Sequence, residues 1–406
     1  MKGVSMSKKN RKWLVFTIMC LAYMPGSYAQ YQLSVYAPEL IQSFGLTTSQ
    51  FSSLFTAPMI VAIFLSFVGG MISDKVGSKK VINISFVIAG IGMIGRVFAN
   101  SYMPFFLCMA LIGFSNMFVN INASKITASW FEQEKLGILM GIFAFCGQLP
   151  GAFATATTAV LFDSRTSAFI VSAIFCISVF VLWLLFVKDK PEDTMEEREK
   201  IVQENQPSIG DSLKVVLSNK GVWLVSICIM MALGSTVTLS TFMPMALQTM
   251  YGIDLKVCGT IASMLTLGNC IGSITGPIVF SKIKNVKVFV SGAAVLSFAG
   301  IIMCWRFPSI FVLHILVLYT GIMLGASMPI FLSAPVLLEG LGTKYAGSAA
   351  GVISTLQLLG AVLIPTYILT PIAGENYSLL FMLASICMVI MFLCGLLLPQ
   401  FGNNQK

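Results

Sequence analysis

The sequence predicts an all-α integral membrane protein with twelve transmembrane helices in two pseudo-symmetric six-helix halves. Of its 406 residues, 57% are hydrophobic and only 10% are charged, whereas soluble domains are about 25% charged. Apolar segments of roughly 20 residues, the length that crosses a bilayer, recur along the chain. The basic residues fall mostly on alternate loops between these segments. These three observations exclude a water-soluble enzyme, a nucleic-acid-binding protein and a disordered regulator.

The apolar segments form two sets on either side of one long polar stretch. The first six lie at about 13–37, 50–72, 81–100, 103–128, 136–160 and 166–187. The second six lie at about 221–248, 257–281, 286–305, 309–336, 346–370 and 377–399. The chain is therefore predicted to consist of an N-terminal six-helix half, a cytoplasmic linker and a C-terminal six-helix half, at 1–187, 188–220 and 221–406.

The distribution of Lys and Arg predicts the orientation of the chain. With both termini in the cytoplasm, 21 of the 25 basic residues face the cytoplasm and four face outward, namely Arg96, Arg165, Lys256 and Arg306. Basic residues concentrate in the cytoplasmic loops of membrane proteins. We therefore expect a multi-pass protein of a bacterial inner membrane with both termini cytoplasmic. The net charge of +9 then reflects topology, and no nucleic-acid partner is expected.

Cysteine and histidine usage gives no sign of a metal site. The chain has ten cysteines, none spaced as C-x-x-C, and a single histidine. A zinc site needs clustered Cys, His or carboxylate ligands. No metal and no cofactor are expected.

The two halves share weak sequence similarity. After the second span the chain reads GMISDKVGSKKV from Gly70, and late in the eighth it reads GPIVFSKIKNVKV from Gly276. Gln148 in the fifth span and Gln357 in the eleventh occupy matching places after paired glycines. In transporters built from two related halves, the substrate site lies at their interface near the middle of the membrane.

The stretch after the second span is the most specific local motif. It resembles the G-x-x-x-D-[RK]-x-G-[RK]-[RK] motif of the major facilitator superfamily, with Ser78 where a basic residue is usual. In that family the motif is a cytoplasmic latch that stabilises the outward-facing state. Glycine suits close helix contact and tight turns, and an aspartate caps a helix or pairs with a cation. The resemblance gives the gating residues as Gly70, Asp74, Gly77, Lys79 and Lys80.

Two further fragments resemble bacterial members of the superfamily that carry cyanate, oxalate or formate, and monocarboxylates. They are residues 124–131 (SKITASWF), at the end of span four, and residues 36–38 (YAP), at the end of span one. The resemblance implies a secondary transporter that moves a small organic anion by alternating access. The chain departs from the nitrate and oxalate branches, because spans two and eight contain no Arg and span eleven has no basic residue in its core.

Polar side chains in otherwise apolar spans are the candidate substrate contacts, because lipid offers them no hydrogen-bond partner. In span one Tyr28, Gln32 and Tyr36 recur every four residues and so share one helix face. We expect this stripe to line a cavity, and we expect Lys125 to neutralise an anionic substrate. The full set is Tyr28, Tyr31, Gln32, Tyr36, Asn116, Asn120, Lys125, Gln148 and Gln357, with Ser235, Thr238, Thr241 and Asn269 completing the C-terminal side.

These candidates have an alternative role as hydrogen-bonding residues between helices, without substrate contact. For Lys125 the alternatives are snorkelling to the membrane surface or an ion pair with Asp74 or Glu339. Arg96, near the outer end of span three, is expected to be an interfacial anchor.

Two residues are candidates for coupling transport to protons. His314 is a candidate proton carrier because imidazole accepts and donates protons, with a packing histidine as its alternative, and Glu39 lies at the outer mouth of span one. No Asp or Glu lies in the middle of a span, which makes uniport or exchange more plausible than carboxylate-based proton coupling.

The prediction for function is therefore a monomeric secondary transporter, with a small-molecule substrate and the lipid bilayer as its partners and without enzymatic activity. The alternatives are efflux of an amphipathic, drug-like compound and a transporter-like membrane sensor that signals through the linker.

Overall fold

The computed structural model describes residues 8–187, 209–304, 306–307 and 309–400, and all regular structure in these ranges is helical. The N-terminal helices are α1 (Lys8–Val35), α2 (Ala37–Phe44), α3 (Thr48–Val76), α4 (Ser78–Phe98), α5 (Tyr102–Trp130), α6 (Gln133–Leu161) and α7 (Arg165–Phe186). Most of the predicted linker, residues 188–208, lies outside the described residues.

A short helix, α8 (Ile209–Ser218), precedes the C-terminal helices. These are α9 (Lys220–Tyr251), α10 (Leu255–Ile283), α11 (Val286–Met303), α12 (Ile310–Ala326), α13 (Met328–Leu337), α14 (Gly342–Leu363) and α15 (Tyr377–Leu397). After α14 the chain continues through a π-helical segment, Ile364–Leu369, into a single α-turn, Thr370–Ala373.

Within the described ranges, eleven helices are long and apolar enough to cross a membrane. They match the predicted spans two to twelve, with α12 and α13 together forming span ten. The helix α1 has 28 residues, or about 42 Å at 1.5 Å per residue, but its Tyr, Gln and Ser side chains make it less apolar than the others. Its assignment as a twelfth span stays a prediction.

Local signals in the sequence explain where the helices begin and end. Thr47 and Gln50 form a reciprocal capping box at the start of α3, which satisfies two N–H groups that the first turn leaves open. The side chain of Asp254 caps α10 and that of Asn219 caps α9. Gly77 separates α3 from α4 with φ of 92°, a left-handed conformation that glycine adopts without strain. The turn predicted at Gly77 is therefore present.

The N-terminal helices and the C-terminal helices each pack extensively among themselves. Among the N-terminal helices, α5 packs against α3 and α4, and α1 packs against α6. Among the C-terminal helices, α10 packs against α12, α9 against α14 and α11 against α15. The two sets meet mainly where α6 contacts α10 and where α3 contacts α14. The outward surface is apolar, with side chains such as Phe64, Phe98 and Phe311 more than 70% exposed, as a lipid-facing surface requires.

The bundle has two ends. We call the end at which α7 ends and α9 begins, next to the predicted linker, the linker face, and we call the other end the opposite face. The linker face carries the first turns of α1 and α9 and the last turn of α7, and the opposite face carries the first turn of α3 and the last turn of α9. Three hydrogen bonds between the two helix sets lie near the opposite face. Ser49 bonds to Thr370 (2.9 Å), and Thr366 bonds to both Ser52 (2.9 Å) and Thr56 (3.3 Å). The two sets are therefore joined at the opposite face.

Candidate functional site

A cavity of about 550 Å³ lies between the N-terminal and C-terminal helices. Helices α1, α3, α5 and α6 line one side, and α9, α10, α13 and α14 line the other. Half of the described residues that line it are apolar, among them Met59 and Leu358. Among the described residues that line it, none is charged, and the polar ones are Tyr23, Ser27, Gln30, Tyr31, Asn116, Asn120, Gln148, Thr236, Ser240, Thr266, Asn269, Ser354 and Gln357.

Helix α1 turns one polar face towards the cavity, formed by Tyr23, Ser27, Gln30 and Tyr31. These positions recur at helical spacing and so share a face. The Nε2 group of Gln30 donates to the carbonyl of Phe55 on α3 over 2.8 Å, which leaves its Oε1 atom as an acceptor. Tyr31 was predicted as a cavity residue, whereas Tyr23 and Gln30 were missed.

The predicted stripe of span one lies on the other face of α1. Tyr28 and Tyr36 are buried and lie outside the cavity wall. The ring of Tyr28 meets that of Phe175 edge-on at 6.3 Å, and the hydroxyl of Tyr36 donates to the carbonyl of Ser164 over 3.3 Å. The prediction that this stripe forms a cavity wall is wrong for the conformation seen here, because its side chains pack between α1 and α7.

The third member of the stripe, Gln32, is held by a buried arginine. Arg96 is 1% exposed, and its Nη2 atom donates to Oε1 of Gln32 over 2.9 Å and to the hydroxyl of Ser172. Its Nη1 atom donates to the carbonyl of Ala29 over 2.9 Å, and the guanidinium stacks on the ring of Phe169 at 4.3 Å. The expectation that Arg96 is an interfacial anchor is therefore wrong: it joins α4 to α1 and α7 inside the protein.

The carboxamide of Asn116 on α5 lies against Gly26 of α1 at the cavity wall. A methyl group at Gly26 would collide with this carboxamide, so α1 and α5 approach closely only because residue 26 lacks a side chain. The Oδ1 atom of Asn116 is buried without a hydrogen-bond partner in the described chain. A buried oxygen without a partner is costly, and either orientation of this carboxamide presents an amide group to a ligand.

Four more carboxamides surround the cavity from both helix sets. Asn120 and Gln148 lie on the N-terminal side, and Asn269 and Gln357 on the C-terminal side. None of these four side chains forms a hydrogen bond within the described residues. The structure thus brings Asn116, Asn120, Gln148, Gln357 and the C-terminal candidate Asn269 together around one cavity, as the sequence placed them. Each carboxamide offers two N–H donors and one oxygen acceptor to a ligand.

The other C-terminal candidates do not line the cavity. Ser235, Thr238 and Thr241 are fully buried. Their hydroxyls donate to backbone carbonyls, those of Ala384, Gly234 and Val237. Their role in this structure is hydrogen bonding within the C-terminal helices, which was the alternative for polar residues in spans.

Lys125 lies just beyond the cavity on its linker side. Met117 and Ile121 line the cavity from α5, and Lys125 is the next residue at four-residue spacing, so it continues their face of the helix. It lies about 6 Å farther along the helix axis than Ile121. Its side chain is exposed. The arrangement places a positive charge at the linker-side mouth of an uncharged cavity.

The two coupling candidates lie away from the cavity wall. The ring nitrogens of His314 are both engaged: Nε2 is 3.2 Å from the hydroxyl of Thr260 and Nδ1 is 2.8 Å from the carbonyl of Ile310. Glu39 is exposed on α2, and its carboxylate lies 3.6 Å from the guanidinium of Arg165. Neither group has the surroundings of a buried proton carrier.

The gating motif lies at the linker face, where α3 turns into α4. The structure describes Gly70 and Asp74 only as helical residues of α3. The side chain of Asp74 lies outside what it describes. Lys79 is half-buried and Lys80 is exposed, both in the first turn of α4. A contact that the sequence did not predict ties the motif to α5: Nδ2 of Asn122 donates to the hydroxyl of Ser73 over 2.9 Å.

Comparison with known families identifies the fold. The family model described as "Major Facilitator Superfamily" matches residues 15–365. The chain belongs to the major facilitator superfamily. The predicted resemblance is thereby confirmed, and this superfamily protein is a multi-pass membrane transporter and not an enzyme.

Curated relatives of this superfamily protein are bacterial. It is 24% identical over 360 residues to a protein of Cupriavidus necator named "Probable sulfoacetate transporter SauU", covering 84% of this chain and 83% of the relative. It is 22% identical over 309 residues to the galacturonate transporter of Dickeya chrysanthemi, covering 73% and 90%. It is also 22% identical over 421 aligned positions to the membrane sensor protein UhpC of Escherichia coli, covering 97% and 93%.

Solved structures show the same fold. The nucleoside transporter NupG superposes with a TM-score of 0.76 over 96% of this chain and 100% of that chain, at 15% sequence identity. At this identity the likeness shows the fold alone.

Proposed function

We propose that this chain is a secondary transporter that carries a small organic anion, of the size of a sugar acid, across the inner membrane. The observation that carries the proposal is the cavity between the two helix sets, with unpaired carboxamides on both sides and Lys125 at its mouth. Its volume of about 550 Å³ falls within the roughly 300–1,000 Å³ of small-molecule sites.

The cavity suits a carboxylate that carries hydroxyl groups. Carboxamide N–H groups donate to carboxylate oxygens, and carboxamide oxygens accept from hydroxyls. Gln148 and Gln357 lie on different helix sets, so a ligand that bonds to both would bridge the two halves. The names of the sulfoacetate and galacturonate transporters support this class of substrate.

Lys125 would attract the anion before it enters the cavity. A positively charged side chain beside a low-dielectric cavity raises the local concentration of anions, and salt weakens the effect. Recognition inside the cavity then rests on neutral groups, so Lys125 is expected to change the rate of entry more than the affinity.

The orientation and the mechanism complete the proposal. The linker face would be cytoplasmic, with both termini on that side, and the protein would work as a monomer in the multi-pass arrangement of twelve spans. The hydrogen bonds between Thr366 and α3 at the opposite face support a state that is closed to the outside. Alternating access would then break these bonds and close the linker side.

Uptake into proteoliposomes tests the proposal. Purified protein would be reconstituted and supplied with labelled galacturonate, sulfoacetate or galactose at equal concentration. We expect entry of at least one of the two anions and no entry of galactose beyond protein-free liposomes. Equal entry of galactose and galacturonate, or entry of neither anion, would contradict an organic-anion transporter.

The role of Lys125 has a matched control in Lys282, which is exposed near the end of α10 on the same face. Lys125→Gln is expected to lower the initial rate of anion uptake about three- to tenfold at low ionic strength, and less at high salt. Lys282→Gln should leave the rate unchanged. Equal effects of both substitutions would leave Lys125 without a specific role.

Export of an amphipathic compound is a second candidate, favoured by the apolar half of the cavity wall. Such a protein would raise the tolerance of expressing cells to apolar cations or dyes, and it would not move galacturonate.

A third candidate, a membrane sensor, is favoured by the similarity to UhpC along almost the whole chain. A sensor would bind an organic anion without catalysing its flux, which the same liposomes would show.

A further inference from the structure

A cluster of aromatic and basic side chains lies at the linker face, away from the cavity. We call Arg11, Lys12, Trp13, Trp130 and Phe131 the linker-face cluster. The guanidinium of Arg11 lies 5.9 Å from the centre of the Trp130 ring, and Nζ of Lys12 lies 5.3 Å from that of Phe131. Cation–π contacts of this kind hold a charged side chain beside a ring. The cluster therefore presents two positive charges, each fixed in position by an aromatic partner.

The cluster lies at the end of α5, a helix long and apolar enough to cross a membrane. Arg11 and Lys12 belong to the first turns of α1, and Trp130 ends α5. Trp13 is 46% exposed, and its ring meets that of Phe131 edge-on at 5.1 Å. Tryptophan side chains concentrate at the headgroup level of bilayers, where the ring is apolar and its N–H is polar.

The charge of this region is positive on balance. The sequence adds Lys8 and Lys9 directly before the cluster. Glu132 lies next to it and is paired with Lys135 at 3.1 Å, and this hydrogen-bonded lysine lowers the pKa of Glu132, with a smaller contribution from Lys12. The carboxylate of Glu132 thus pairs with Lys135 more closely than with the cluster.

We propose that the linker-face cluster is a binding site for the headgroup of an anionic phospholipid. The phosphate oxygens would accept hydrogen bonds from Arg11 and Lys12. The exposed ring of Trp13 would lie beside the glycerol and the first methylene groups of the lipid.

The half-buried state of Arg11 and Lys12 and the apolar rings beside them favour a lipid over free phosphate. A free phosphate ion would interact only with the two positive charges, whereas a lipid would also cover the exposed part of the Trp13 ring. Each juxtamembrane basic side chain raises the affinity for an anionic lipid surface roughly fivefold. Two such side chains therefore raise this affinity about 30-fold.

Lipid binding to the full-length protein tests this site. Protein delipidated in detergent would be titrated with dioleoyl-phosphatidylglycerol or dioleoyl-phosphatidylcholine and followed by native mass spectrometry and thermal unfolding. We expect phosphatidylglycerol to be retained and to raise the unfolding temperature more than phosphatidylcholine does. In Arg11→Gln/Lys12→Gln its affinity should fall by about 30-fold.

Two matched variants separate the site from general charge and from folding. Lys282→Gln/Lys287→Gln removes two exposed lysines from the same face and should retain phosphatidylglycerol as the unchanged protein does. Arg11→Lys/Lys12→Arg keeps both charges and should also retain it, even if the glutamine variant folds poorly. Equal loss in the Lys282/Lys287 variant, or equal stabilisation by inorganic phosphate or by phosphatidylcholine, would overturn the proposal.

Discussion

The guanidinium of Arg96 on α4 donates to the side-chain oxygen of Gln32 on α1 over 2.9 Å. The same glutamine donates through Nε2 to the carbonyl of Ala168 on α7 over 3.2 Å. Gln32 is therefore the central member of a hydrogen-bonded bridge across three helices, and it is fully buried. This bridge holds the stripe of Tyr28, Gln32 and Tyr36 inside the N-terminal helices and leaves the other polar face of α1 for the cavity.

Gln32→Leu should destabilise the protein by about 2–3 kcal/mol. The substitution removes an acceptor from a buried guanidinium, and a buried charged donor that loses its partner is costly. Thermal or denaturant unfolding in detergent would measure the loss. In an Arg96→Leu background the same substitution should cost much less, because the charged donor is then absent. An equal cost in both backgrounds would show that Gln32 contributes through packing alone.

Gly26→Ala should lower stability by about 1–3 kcal/mol, although alanine is the better helix former. The added methyl group collides with the carboxamide of Asn116 across the α1–α5 contact. Gly90→Ala on α4 is the matched control, because a methyl group there meets nothing within 4 Å. It should be neutral or stabilising by up to about 1 kcal/mol. Loss of stability in both variants would contradict a specific Gly26–Asn116 contact.

Gln148→Ala and Gln357→Ala should weaken binding without lowering stability. Each removes a carboxamide that forms no hydrogen bond within the described chain, so only the bonds to a ligand are lost. At about 0.5–1.5 kcal/mol for each bond, the Kd for the transported anion should rise about two- to tenfold. Calorimetry with galacturonate, or with the anion that the uptake assay identifies, would measure it. A fall in unfolding temperature comparable with that of Gln32→Leu would assign these glutamines a structural role instead.

Thr366→Val should favour opening at the opposite face. It removes the hydroxyl that bonds to Ser52 and Thr56 and keeps a similar shape. Losing about 1–2 kcal/mol would shift the equilibrium between the closed and open states about five- to 30-fold. Hydrogen–deuterium exchange should increase in the first turns of α3 and in the segment 364–373.

Thr355→Val is the control for that experiment. The hydroxyl of Thr355 donates to the carbonyl of Gly351 within α14, so its loss should not change exchange at the opposite face. If Thr355→Val and Thr366→Val increase exchange equally, the bonds of Thr366 do not hold the two helix sets together.

Much of the site follows from the sequence because few polar residues occur in apolar spans. Asn116, Asn120, Gln148 and Gln357 could be predicted as neighbours of one cavity, since an amide in a transmembrane helix must face protein or water. The exposed Lys125 at the end of the same helix face follows from its spacing. Asn269 completes the set for the same reason.

The rotation of α1 could not be predicted in this way. This helix is polar on two faces, one with Tyr28, Gln32 and Tyr36 and one with Ser27 and Tyr31. Residue spacing alone does not distinguish which of the two faces lines the cavity. Arg96 could not be placed either, because a basic residue near a helix end fits an interfacial anchor as well as a buried hydrogen-bonded centre.

The sequence by itself determined the membrane class, the positions of spans two to twelve, the turn at Gly77 and the superfamily. These depend on composition and on local signals, which act within a few residues along the chain. Only the tertiary structure decided which face of α1 lines the cavity. That choice depends on the energy of burying the guanidinium of Arg96, whose Nη atoms donate to Gln32 and Ala29 of α1 and which packs on Phe169 of α7. These groups are far apart in sequence, and the fold alone brings them together.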